Sequence, residues 1–322
     1  MGLSQSENFP MRVIFLGTPQ FAVPSLEALV SVGHQVLGVF TQPDRPKGRG
    51  NQLAESPVKV AARTLNLPVY QPERIRRPEA VEQLRSLAAD LMVVVGYGQI
   101  IPQNIIDLPP YGILNVHASL LPKYRGAAPI QWAIANGEKQ TGVTIMQIDA
   151  GLDTGDTLLK ASTEIRPDET APELGERLAK SGADLLIKTI QQVETGCAHP
   201  EKQDDSQATL APILKKEDGR MDWRKPAQEI YNRLRGFDPW PGAYTAFRQQ
   251  GLAVIRATPT EAHRALEAGR IEVGKRDLLV GCGDGTALQL LEVQPSGKKR
   301  MSVEAFMNGY KPVSGEYMGE EL

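Results

Sequence analysis

The chain has 322 residues, enough for about two domains at the usual ~100 to 200 residues each. Its 41% apolar and 23% charged residues exclude disorder, a collagen-like repeat and a disulfide scaffold. Thirty-six basic against 38 acidic side chains leave a net charge of -2, so the chain as a whole is no polycation and any nucleic acid must be met locally. From Ala211 onward there are 17 basic and 15 acidic residues, a net +2, against -4 before it. The longest apolar stretch, Leu91 to Ile101, has 11 residues where a membrane helix needs ~20, so no membrane partner is expected. Cys197 and Cys282 are far apart and form no CxxC pair; both are expected as buried reduced thiols, with no metal site.

Residues 1–10 read as a disordered tail, without a secretory signal or an Arg-rich transit pattern, and the cytosol is the expected compartment. Met11 to Leu16 is a short apolar strand, ended by Gly17-Thr18-Pro19 and followed by helical spacing from Phe21 to Val30. Strands are expected at Gln35 to Phe40, Leu91 to Val95, Gly112 to His117 and Thr141 to Ile148. Helices are expected from Pro57 to Leu65, Glu79 to Ala88, Pro129 to Asn136 and Ala171 to Val193. Continuous apolar strands alternating with helices predict a doubly wound, mostly parallel sheet covered on both faces, over residues 11–195. Residues 196–211 are polar and aperiodic, with the texture of a linker. Beyond them, a helix from Pro226 to Arg235 precedes short strands at Ala243 to Arg248, Leu252 to Ala257, Arg270 to Val273, Leu278 to Cys282 and Thr286 to Val293. This rhythm predicts a small β-barrel, OB-like, over residues 212–322.

Ligands of an open parallel sheet lie outside the carboxyl ends of its strands. The first strand ends in a single glycine without G-x-G-x-x-G, which disfavours a dinucleotide enzyme. Asn115 and His117, two apart on a strand, project on one side and offer an oxyanion donor and a general acid/base to one crevice. The loop Asp149-Ala-Gly-Leu-Asp153-Thr-Gly-Asp156 brings three carboxylates to the same end, any of which can orient His117; spacing does not choose among them. Ser119-Leu120-Leu121-Pro122 carries two leucines that read as exposed, suited to wall a pocket for a flat aromatic ligand. Residues 41–57 form an unusually long connection holding Arg45, Lys47 and Arg49 between glycines and prolines, a composition suited to phosphate contact. Lys298-Lys299-Arg300 is a second basic candidate.

Asn115-Val-His117-Ala-Ser119-Leu-Leu-Pro122-Lys-Tyr-Arg-Gly126, followed by Gly151-Leu-Asp153-Thr-Gly-Asp156, resembles the signature of the formyltransferases that use 10-formyltetrahydrofolate. The basic loop, Phe237-Asp-Pro-Trp-Pro-Gly242 and Pro295-Ser-Gly-Lys-Lys-Arg300 extend the resemblance, from Met11 to about Lys311, to the branch whose acceptor is the methionyl group of initiator tRNA. The resemblance implies a Rossmann-like catalytic domain followed by an OB-like tRNA-binding domain. It implies a catalytic trio of Asn115, His117 and Asp153, and a folate-contacting turn at Ser119, Leu120, Leu121 and Pro122. It implies tRNA contacts at Arg45, Lys47 and Arg49 of an inserted basic loop that enters the acceptor end, with Arg49 matching the family's key arginine, and at Lys298, Lys299 and Arg300. A monomer using 10-formyltetrahydrofolate as co-substrate, without metal, in the bacterial cytosol is the resulting expectation. The rivals are a formyltransferase acting on an amino sugar nucleotide, against which the basic loop argues, a formyltetrahydrofolate hydrolase, and a tRNA-binding protein without catalysis, against which the intact trio argues.

Overall fold

The computed structural model describes residues 10–47, 52–261 and 266–319. The expected tail therefore lies outside the described residues up to residue 9, as does Arg49. In chain order the elements are β1 (Arg12–Gly17), α1 (Val23–Ser31), β2 (Gln35–Phe40), β3 (Arg45–Lys47), β4 (Gln52–Ala54), α2 (Pro57–Thr64), β5 (Val69–Tyr70), α3 (Pro78–Leu87), β6 (Leu91–Val95), α4 (Gln103–Ile106), β7 (Ile113–His117), β8 (Arg125–Gly126) and α5 (Pro129–Ala135). They continue with β9 (Gln140–Gln147), β10 (Thr157–Glu164), α6 (Ala171–Glu194), β11 (Leu210–Ala211), α7 (Ala227–Gly236), β12 (Ala243–Phe247), β13 (Gln250–Glu261), β14 (Ile271–Val273), β15 (Leu278–Gly281), β16 (Thr286–Pro295), β17 (Met301–Ser302) and α8 (Val303–Tyr310). No helix among the described residues is long and apolar enough to cross a membrane.

The chain divides into two units. The first runs to Ala127 and resumes over Thr141–Thr163 and Gly175–Ala211. Its seven-stranded sheet has the order β10-β9-β7-β6-β1-β2-β5. β1 pairs in parallel with β2 and β6, β6 with β7, and β2 with β5, whereas β9 runs antiparallel to β7. The central strands are buried along almost their whole length, as expected of a sheet covered on both faces. On one face Ile14, Leu16, Met92, Val94 and Ile113 meet Ala80, Val81 and Leu84 of α3 in a single apolar cluster. α2 opens on Pro57, and the Ser56 hydroxyl caps it by accepting the Lys59 amide at 3.1 Å.

The polar segment 196–211 belongs to the first unit and is tied down rather than free. Thr157 and Glu201 exchange both backbone hydrogen bonds at 2.8 Å, and β11 pairs in parallel with β8. Cys197 also departs from expectation: it sits in this segment with its side chain exposed, while Cys282 is buried and its thiol is pushed up to about 12 by desolvation. Alkylation near pH 8 is expected to modify Cys197 alone, with Cys282 reacting only in denaturant, as peptide mapping would read out.

The second unit takes Ala128–Gln140, Glu164–Leu174 and Pro212 onward. It therefore includes α5, which the sequence order would assign to the first. The reason is local packing: α7 approaches α5 at Gly236, where a Cβ would lie 2.9 Å from the Ala135 nitrogen and the Gln131 oxygen. The Trp132 ring meets Phe237 edge-on at 5.3 Å between centroids. Buried Arg235 of α7 donates to the carbonyls of Arg166 and Glu169 and to Asn232 Oδ1. The sheet order is β12-β13-β16-β15-β14, all antiparallel, with β17 added on β16. Its two edges are joined through the C-terminal segment by the bridges Phe247↔Met318 and Arg270↔Tyr317, which close the small barrel. Leu252, Val254, Ile271, Leu278, Leu288, Leu290 and Phe306 fill it.

Candidate active site

β7 ends the apolar centre of the first sheet at His117. Because strand side chains alternate, Asn115 and His117 leave the same face, and both are buried, 9% and 6% exposed. The His117 Nε2 lies 2.9 Å from the Tyr124 carbonyl oxygen. A carbonyl only accepts, so this nitrogen carries the proton, and Nδ1 is the ring atom left for proton traffic. Nδ1 faces Asp153 Oδ2 at 3.7 Å. Asp153 Oδ1 accepts Asn115 Nδ2 at 3.4 Å, and Oδ2 accepts the Gly126 amide at 2.8 Å. One carboxylate thus stands between the amide and the imidazole.

Asp153 reaches this place from a turn held by its neighbours. Asp149 accepts the Gly151 amide at 3.0 Å and the Thr154 hydroxyl at 2.7 Å, so that carboxylate serves the turn's backbone. Gly155 is required by close approach: a Cβ would lie 1.9 Å from the Gln147 oxygen, where β9 turns back toward β10. Asp153 itself has φ +52, in the left-handed region that non-glycine residues seldom occupy. The donor amide comes from β8, where Gly126 has φ +122 and its Cβ position is 2.7 Å from the Ala211 oxygen, so only glycine fits.

The turn after His117 differs from its expected form, because neither leucine is exposed. Leu121 is 2% exposed, Leu120 is half-buried against Gly142 of β9, and Ser119 is fully buried with its hydroxyl donating to the Lys123 carbonyl at 2.6 Å. Thr144 of β9 draws the turn in: its hydroxyl donates to Ser119 O at 2.7 Å and accepts the Leu121 amide at 3.1 Å. Lys160 donates to Leu121 O at 2.9 Å. Two leucines before a proline look like a loop in sequence; the hydrogen-bonding Thr144 that turns Leu121 inward lies on another strand and gives no local signal.

β3 and β4 form an antiparallel pair, with Arg45 opposite Ala54 and Lys47 opposite Gln52. Its base is fixed by Asp44, whose carboxylate accepts Lys59 and Gln71. The Lys59 hydrogen bond, followed by that of Gln71, holds the Asp44 carboxyl below its ordinary range. Arg45 is exposed. In the second unit Lys298, Lys299 and Arg300 are exposed in the turn between β16 and β17. Among the described residues no group of three or more His, Cys, Asp or Glu side chains is placed to hold a metal.

Residues 11–190 match the family Formyl transferase, and residues 213–311 match Formyl transferase, C-terminal domain. The chain belongs to the formyl transferase family. It is 63% identical to the Methionyl-tRNA formyltransferase of Solibacter usitatus (strain Ellin6076) over 310 residues, covering 96% of this chain and 99% of that protein. It is 58% identical to the Methionyl-tRNA formyltransferase of Koribacter versatilis (strain Ellin345), with the same coverage of 96% and 99%. Among solved structures, the N-formyltransferase from Helicobacter canadensis, in complex with folinic acid and dTDP-3-aminofucose, superposes with a TM-score of 0.65 at 20% identity, covering 88% of this chain and 99% of that one. That likeness concerns the fold.

Proposed function

We propose that this chain transfers the formyl group of 10-formyltetrahydrofolate to the α-amino group of methionyl initiator tRNA. The observation that carries the reading is the placement of the Asp153 carboxylate between Asn115 Nδ2 and His117 Nδ1. It stands in a chain 63% identical over almost its whole length to a methionyl-tRNA formyltransferase.

With a reference pKa of ~7.7 to 8.0, an α-amino group is partly free base near neutrality, so making the nucleophile is not the main barrier. The demanding steps are holding negative charge on the formyl oxygen and moving one proton from the attacking amine to the departing folate nitrogen. One C–N bond forms to the formyl carbon and one breaks. Asn115 Nδ2, engaged with Asp153 only at 3.4 Å, donates to the developing oxyanion. His117 Nδ1 takes the amine proton, supports the oxyanion as imidazolium and releases the proton to the leaving nitrogen. Asp153 compensates the imidazolium charge and holds the ring's outlook. In the turn after His117, Leu120 and Pro122 keep side-chain surface for the folate ring, while Ser119 and Leu121 shape the turn from within.

Arg45, Lys47 and Arg49 of the basic segment 41–57, and Lys298, Lys299 and Arg300 of the second unit, supply the cations for RNA phosphates that an acidic chain needs locally. Arg49→Ala is expected to lower kcat/KM for the aminoacyl-tRNA about tenfold and reduce its salt slope by about 1, with the folate KM unchanged. An unchanged kcat/KM for the tRNA would remove Arg49 from the interface.

The reading is tested by incubating the purified protein with 10-formyltetrahydrofolate and methionyl initiator tRNA, quenching in acid and analysing the released amino acid by mass spectrometry. Formylmethionine is expected. Formate without formylmethionine would make water the acceptor and overturn the proposal.

A further inference from the structure

We infer that Gln203, in the polar segment after α6, is a positioning residue that sets Asp153 for the formyl transfer proposed above, on which reading the inference rests. The Gln203 Nε2 donates to the carbonyls of Asp153 and Gly155, both at 2.8 Å. Its Oε1 accepts Arg125 Nε at 3.1 Å and the same guanidinium's Nη2 at 2.8 Å. Both donors and both lone pairs of the amide are therefore used, although the surrounding segment is polar and mostly exposed.

The partners form a closed circuit. Arg125, 7% exposed, is one half of β8; the other half, Gly126, sends its amide to Asp153 Oδ2. Gln203 thus binds the backbone on both sides of Thr154 to the strand whose next amide holds the Asp153 carboxylate. Asp153 adopts φ +52, a conformation that persists only where its surroundings enforce it. Gln203 supplies that enforcement from 50 residues away in sequence. Asp205 also meets Arg125, at 2.7 Å, but its side chain is 81% exposed.

Gln203→Glu discriminates, because it keeps size and the Arg125 pairing but presents only acceptors to the two carbonyls. Displacing a reacting group by about 1 Å costs on the order of 10²-fold. The single-turnover rate of the full-length protein at saturating substrates is expected to fall about 10- to 100-fold, with KM for donor and acceptor within about twofold. In an Asp153→Ala background, Gln203→Glu is expected to cost nothing further, since it acts through Asp153. Asp205→Ala is expected to stay near wild-type. Should Gln203→Glu fail to fold, Gln203→Met, which removes the donors without adding charge, gives the same readout.

A wild-type rate in Gln203→Glu, or the same loss in both backgrounds, would overturn the inference. If instead Asp153→Ala alone kept the wild-type rate, the proposed trio itself would fail, which separates the two outcomes.

Discussion

Asn115→Ala is expected to lower the single-turnover rate of formyl transfer by about 10² to 10³ at saturating donor and acceptor, the usual cost of losing one oxyanion donor. The side chain is buried at the end of β7, and its amide makes one long contact, 3.4 Å, to Asp153. A donor so weakly engaged keeps its strength for charge that arises only during reaction. Removing it leaves His117 and its bond to Tyr124 in place. KM values should therefore stay close to wild-type while the chemical step slows. A rate within about threefold of wild-type would place the oxyanion donor elsewhere.

His117→Gln is expected to cost about 10² to 10⁴ in the same assay, the range of a lost general acid/base. Glutamine is chosen because its amide can still donate to the buried Tyr124 carbonyl, which His117 Nε2 now satisfies at 2.9 Å. The variant should thus melt near the wild-type temperature, as circular dichroism would verify, while no group remains to move the proton. Activity retained in this variant would mean that the proton passes directly between substrates or through solvent.

Much of the first unit is legible in sequence because its strands are apolar on both faces. β2 and β6 are found at their expected bounds, and period-two alternation places Asn115 and His117 on one side. Chain direction is not encoded in such runs, so the antiparallel entry of β9 is visible only once its register against β7 is known. β10 escapes because it is a sheet edge with alternating exposed positions such as Lys160 and Ser162, leaving little apolar signal. The acid that faces His117 is named by motif resemblance, whereas the reason it is not Asp149 is structural: that carboxylate is spent on Gly151 and Thr154. Gln203 lies in a stretch without periodicity, and its partners Arg125, Asp153 and Gly155 are more than 40 residues distant. A residue that acts by tying two loops together carries no local mark of doing so.

The function turns on which amine receives the formyl group. The deciding measurement is kcat/KM for three acceptors offered with the same 10-formyltetrahydrofolate: methionyl initiator tRNA, free methionine and an amino sugar nucleotide. Formylation of the tRNA-borne amine alone, or with a kcat/KM at least about 10³-fold above the other two, more than ~4 kcal/mol of transition-state discrimination, is the predicted result. Equal or faster formylation of the sugar amine would contradict it.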